Sequence, residues 1–158
     1  MPQNQLLVWQ QPEIIRWSQI LANSYRQLLG KELIDCDQTP EELAKALFDA
    51  TFVVVSHDTQ ADPIFNYGNQ TALQLWSISW EELITTPSRQ SAESVNRETR
   101  AKMLEQVAKQ GYIDNYQGIR ISTTGQRFLI EQTTIWNLTD ELGQPCGQAA
   151  TFSNWTWL

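Results

Sequence analysis

Three β-patterned stretches follow one another near the end of the chain, at 112–122, 127–138 and 147–154. Only a Thr123-Thr124-Gly125 turn and a turn through Gly143 and Pro145 separate them. Links this short join antiparallel neighbours, because a parallel pair needs a crossover of roughly a dozen residues or more. Upstream, Phe52-Val53-Val54-Val55 is β-branched and aromatic. After Ser56 comes a polar turn, His57-Asp58-Thr59-Gln60-Ala61-Asp62, and then a short second strand at 64–67. Two strands, several helices and three strands in that order predict an α+β fold, a five-stranded antiparallel sheet with helices crossing one face.

The helical segments carry their own punctuation. Pro12 opens a stretch whose Ile14, Trp17, Leu21, Tyr25 and Leu28 fall on one stripe, and Gly30 stops it. Thr39-Pro40-Glu41-Glu42 has a capping residue, a first-turn proline and the acid that completes a capping box, leading into Leu43, Leu47 and Phe48. Residues 1–50 therefore read as an N-terminal helical extension and 51–158 as the sheet domain, with 31–38 a polar connector. Beyond Gly68, a short helix at 69–76 buries Ala72, Leu73 and Trp76, and Ser79-x-x-Glu82 starts another. A long helix at about 92–110 places Ala92, Val95, Thr99, Met103, Leu104 and Val107 on its inner side, with Gly111 ending it.

Hydrophobic residues make up 41% and charged residues 18% of 158, enough apolar material for a folded core. The net charge of -7 argues against a nucleic-acid surface. Arg97, Arg100, Lys102 and Lys109 alternate with Glu93, Glu98 and Glu105, which reads as a solvated helix face. The longest apolar run, 50–55, is far short of the ~20 residues of a membrane-spanning helix. No secretion signal precedes Pro12, and Cys36 and Cys146 lie far apart, so a reducing cytoplasm is expected and the three Asn-x-Thr triplets are not glycan sites.

With its element order, the stretch Phe65-Asn66-Tyr67-Gly68-Asn69-Gln70-Thr71-Ala72-Leu73 resembles a PAS domain, a small sensory module. The chain is more specifically similar to the MEKHLA family, a PAS-like group found as stand-alone proteins in cyanobacteria and at the C-terminus of plant homeodomain-leucine-zipper proteins. The likeness rests on Val55-Ser56-His57, Ile64 to Asn69, Thr86-Pro87-Ser88-Arg89, Gly111-Tyr112-Ile113, Tyr116 to Ser122, Ile135-Trp136-Asn137-Leu138 and Gly147 to Phe152. It implies a cytoplasmic sensory module for light, oxygen or redox state.

A PAS-like sheet curls around a cavity, and residue types test its contents. Flavin photochemistry through a cysteinyl adduct needs a Cys on the central helices; none occurs between Asn69 and Gln110, so that photocycle is excluded while a noncovalent flavin or other small molecule stays open. Haem lacks a suitably placed axial ligand, because the only histidine, His57, falls at a strand end. Zinc lacks four donors at matching spacing. Adjacent Ser56, His57 and Asp58 point to alternate faces and cannot form a triad, and the Glu41–Glu42 and Glu81–Glu82 pairs belong to first helical turns. No phosphate-binding glycine loop is present.

The candidate pocket comprises Phe65, Tyr67, Trp76, Tyr116, Phe128 and Trp136 with polar Asn69, Arg120, Gln132, Thr134 and Gln148. Arg89, with Arg97 and Arg100, offers bidentate contacts to an anion or simply an exposed surface. The face of Arg120 is left open. The stripe Ile14, Trp17, Leu21, Tyr25 and Leu28 is the expected homodimer or output surface. The resulting expectation is a non-enzymatic sensory or ligand-binding module signalling in trans through dimerisation or a protein partner. The alternatives are a ligand-free dimerisation scaffold and a small enzyme using His57 or Glu131 as base.

Overall fold

The computed structural model describes residues 6–35, 39–92 and 94–158, without the side chains of 94–96. Cys36 and the side chain of Val95 lie outside the described residues. Helix α1 (Pro12–Leu29) begins at its proline and ends at Gly30, whose φ of 71° supplies the left-handed cap. In α2 (Pro40–Phe48) the expected capping box is formed. Thr39 Oγ1 accepts from the Glu42 amide at 3.2 Å, and the Glu42 carboxylate accepts from the Thr39 amide at 3.3 Å.

Strands β1 (Val53–His57) and β2 (Phe65–Gly68) pair antiparallel. Helices α3 (Gln70–Trp76), α4 (Trp80–Leu83) and α5 (Ser94–Gln110) lead to β3 (Tyr112–Ile121), β4 (Arg127–Thr139) and β5 (Pro145–Phe152). The sheet order is β2-β1-β5-β4-β3, all neighbours antiparallel. It has a sixth strand where one continuous strand at 147–154 is expected. The chain breaks at Ser153, and β6 (Asn154–Trp157) pairs with the first part of β4, Glu131 opposite Asn154 and Phe128 opposite Trp157.

Helices α3 to α5 cross one face of this sheet, and the N-terminal α1 and α2 cover the other. On the outer face α1 and α2 bury Leu21, Tyr25, Leu47 and Phe48 with Val54, Tyr67, Trp136 and Leu138, and Tyr25 meets Trp136 edge-on at 5.0 Å. On the inner face Val53, Val55, Phe65, Ala72, Trp76, Phe128, Ile130 and Phe152 form a second cluster, and Met103 and Val107 of α5 close on Ile135. Strand β1 is buried on both sides, so it reads as a continuous apolar run and not as an alternation.

Two residues set which side chains face which layer. Asn115 in β3 and Gln132 in β4 have φ of 56° and 52°, and the β3–β4 register shifts on both sides of the Tyr116–Thr133 pair. These are β-bulges, each adding one residue and reversing the in–out alternation beyond it.

Candidate functional site

Between the inner face of the sheet and α5 lies a cavity of about 50 Å³. Its walls are mostly apolar: Val55, Phe65, Trp76, Met103, Leu104, Ile130, Ile135, Ala150 and Phe152. His57, Arg100, Arg120, Thr133 and Gln148 interrupt them.

The polar groups in this wall are unusual in what they lack. Arg100 and Arg120 are only 8% and 7% exposed, and among the described residues neither forms a salt bridge. Arg120 donates through Nη1 to the Ile119 carbonyl at 2.9 Å, and its guanidinium lies 5.7 Å from the Tyr116 ring centre. Burial, reinforced by the charge of Arg120, pushes the Arg100 guanidinium down to about 10, so it remains charged at neutral pH. His57 donates from Nδ1 to the Asp58 carbonyl at 2.9 Å, since a carbonyl can only accept. Burial, with the nearby Arg100 charge, lowers its pKa and keeps the ring neutral. Its Nε2, the Trp76 indole Nε1 and Thr133 Oγ1 are all buried without a hydrogen-bond partner among the described residues. Such orphaned atoms are rare in folded proteins, and three belong to residues lining one cavity.

Of the residues expected in the pocket, Phe65, Trp76, Arg120 and Gln148 line it, which fixes the face of Arg120. Gln148 donates to Asn137 Oδ1 at 2.9 Å and the Leu104 carbonyl at 3.3 Å, tying β5 to α5. Tyr116 and Phe128 support it from behind, Tyr116 under the Arg120 guanidinium and Phe128 against Trp76 with ring centres 5.3 Å apart. Tyr67 and Trp136 belong to the opposite face, packed with Trp80 and Tyr25. Asn69 is not a ligand-facing group. It caps α3 by accepting from the Ala72 amide, accepts from the Val54 amide, and donates to the Leu47 and Phe52 carbonyls. Arg89 is half-exposed and paired with Asp62 at 3.1 Å, and Arg97 donates to the Ala92 carbonyl at 3.0 Å.

Gln132 and Thr134 are displaced by the bulge. Phe128 and Ile130 face inward on even numbers, but past Gln132 the inward residues are Thr133 and Ile135, and Gln132 is exposed and bonded to Asn154. Arg100, read as part of a solvated helix face, is buried with Met103 and Val107. That i, i+3, i+7 spacing was the signal for it, whereas Thr99 is exposed. The stripe assigned to a dimer or output surface is occupied within the chain. Ile14, Leu21 and Tyr25 are buried in the outer core, with Trp17 and Leu28 packed against it. Of the two candidate bases, His57 lines the cavity and Glu131 a separate polar groove with Asn115, Gln132 and Asn154.

Drug-sized ligands occupy roughly 300–1,000 Å³. The cavity is thus well below the size of the pockets that hold drug-sized ligands.

The family model of the MEKHLA domain matches residues 15–157. Among curated proteins, the homeobox-leucine zipper protein HOX9 of Oryza sativa is 24% identical over 93% of this chain and 17% of its own length. ATHB-9 of Arabidopsis thaliana is 24% identical over 92% and 18%. The chain thus spans less than a fifth of these relatives. Among solved structures, the PAS domain of a protein from Colwellia psychrerythraea superposes with a TM-score of 0.61 at 20% identity, covering 70% of this chain and 92% of that one. The photo-excited blue-light photoreceptor Vivid superposes with a TM-score of 0.57 at 15% identity, covering 85% and 94%.

Proposed function

The chain belongs to the MEKHLA domain family, and from its PAS-like fold and the cavity under α5 we propose that it is a non-catalytic sensory module that reads a small molecule and passes its occupancy to a protein partner. The observation that carries this reading is the clustering of unpartnered polar atoms of His57, Trp76 and Thr133 around one apolar cavity. A ligand with a few polar atoms supplies what those groups lack. Of light, oxygen and redox state, the signals PAS-like modules are credited with, none is singled out by a cavity this small.

A route outward is built into β1. Val55, Ser56 and His57 all line the cavity, and the Ser56 hydroxyl also accepts a hydrogen bond from Trp17 Nε1 of α1 at 3.0 Å. A displacement of this strand is therefore felt by α1, whose solvent side is available to another protein or a second copy of the chain.

The test is native against denaturing mass spectrometry of freshly purified protein, with an absorption spectrum of the same sample. A small added mass above the 18.2 kDa chain that is lost on denaturing supports the reading. A bare chain, and no binding in a subsequent small-molecule screen, would leave the ligand-free scaffold.

A further inference from the structure

Resting on that reading, we propose that the cavity binds a short-chain carboxylate, its charged end held between Arg100 and Arg120 and its tail against Met103, Ile135 and Phe152.

The charge inventory is the first reason. A buried guanidinium without an anion is among the costliest groups a fold can carry, and here two lie in the walls of one cavity, one from α5 and one from β3. They repel each other, and no carboxylate among the described residues relieves them. The glutamates of α5 nearest in sequence, Glu98 and Glu105, are exposed and face Lys102 and Lys109. A bound carboxylate accepts from both guanidinium forks, the geometry for which arginine is suited. Thr133 Oγ1 and Trp76 Nε1 add two unused donors to the same wall.

The remaining lining decides between anions. Most of the wall is aliphatic or aromatic, which offers nothing to the far oxygens of a phosphate or sulfate but suits a hydrocarbon tail. Size narrows the choice further. A cavity of about 50 Å³ is small, which favours a short chain such as acetate or propionate over a long one.

The experiment is calorimetric titration of the full chain with sodium propionate, its neutral isostere propionamide, and sodium phosphate at matched ionic strength. Propionate is expected to bind at least tenfold more tightly than either of the others. Arg100→Met and Arg120→Met are each expected to weaken it at least tenfold, and Arg120→Lys to weaken it less than Arg120→Met. Chemical-shift changes at the Trp76 indole proton and the Ile135 methyls on adding propionate locate the site without any variant. Equal binding of propionate and propionamide would overturn the carboxylate assignment while leaving a ligand-binding module. Tighter binding of phosphate would overturn the role of the apolar wall, and binding of none of the three would remove this proposal but not a larger ligand found by native mass spectrometry.

Discussion

Trp17 of α1 and Ser56 of β1 are joined by a 3.0 Å hydrogen bond from the indole Nε1 to the serine hydroxyl, which in turn donates to Asn66 Oδ1 of β2 at 2.6 Å. The hydroxyl links the helix to both strands of the first hairpin. Ser56→Ala strands the indole donor and the amide acceptor together, and is expected to lower stability by about 1–3 kcal/mol. Trp17→Phe loses the bond but keeps most of the packing. Urea denaturation of both single variants and the double variant should return a coupling of about 0.5–1.5 kcal/mol, whereas strict additivity would mean the bond contributes nothing.

Asn69 uses the full hydrogen-bonding capacity of its side chain, two bonds accepted and two donated, while wholly buried. Asn69→Ala removes the side-chain partner of the Val54 and Ala72 amides and of the Phe52 carbonyl, where α2, β1 and α3 meet, while the Leu47 carbonyl keeps the Ala50 amide at 3.4 Å. It is expected to cost about 2–4 kcal/mol in chemical denaturation, more than the ~1 kcal/mol of an ordinary exposed helix cap.

Stability should fall with acid in a way that depends on His57. Its pKa in the unfolded chain is near 6.5 and burial lowers it in the folded one, so below that pH the unfolded chain binds more protons. The contribution is complete above about 6.5 and is lost as pH falls through the depressed folded value. His57→Gln should flatten the stability curve between pH 7 and 5. An unchanged slope in that variant would assign the acid sensitivity to other groups.

Gln132 sits at φ 52°, where a side chain costs energy and glycine does not. Gln132→Gly is expected to be neutral or mildly stabilising, and Gln132→Val to cost about 1–2 kcal/mol in thermal or urea unfolding. Were both tolerated equally, the bulge would not be what holds Thr133 toward the cavity.

Much of the fold was legible because its termini are chemically marked: Pro12 and Gly30 bracket α1, Thr39 to Glu42 start α2, and Gly125 makes the β3–β4 turn at φ 84°. The cavity was legible only in part. Phe65, Trp76 and Gln148 follow from strand and helix assignments and Arg120 was named without its face, but Gln132 carries no sequence mark of a left-handed conformation, so the even-numbered positions Gln132, Thr134 and Trp136 were taken inward. Asn115, a residue type that tolerates that region, was the available hint. Arg100 was concealed by the charges around it, and only its spacing to Met103 and Val107 marks the inner face.

Strand β1 has no position open to water, with Val53 and Val55 in the inner core, His57 at the cavity, and Val54 and the Ser56 hydroxyl on the side of α1 and α2. Natural variation therefore has no silent site along these five residues. A lineage that retuned the cavity through Val55 or His57 would disturb the seat of α1, and one that changed what α1 meets through Ser56 would alter the cavity. Substitutions on the two faces of this single strand should therefore have accumulated in compensating pairs.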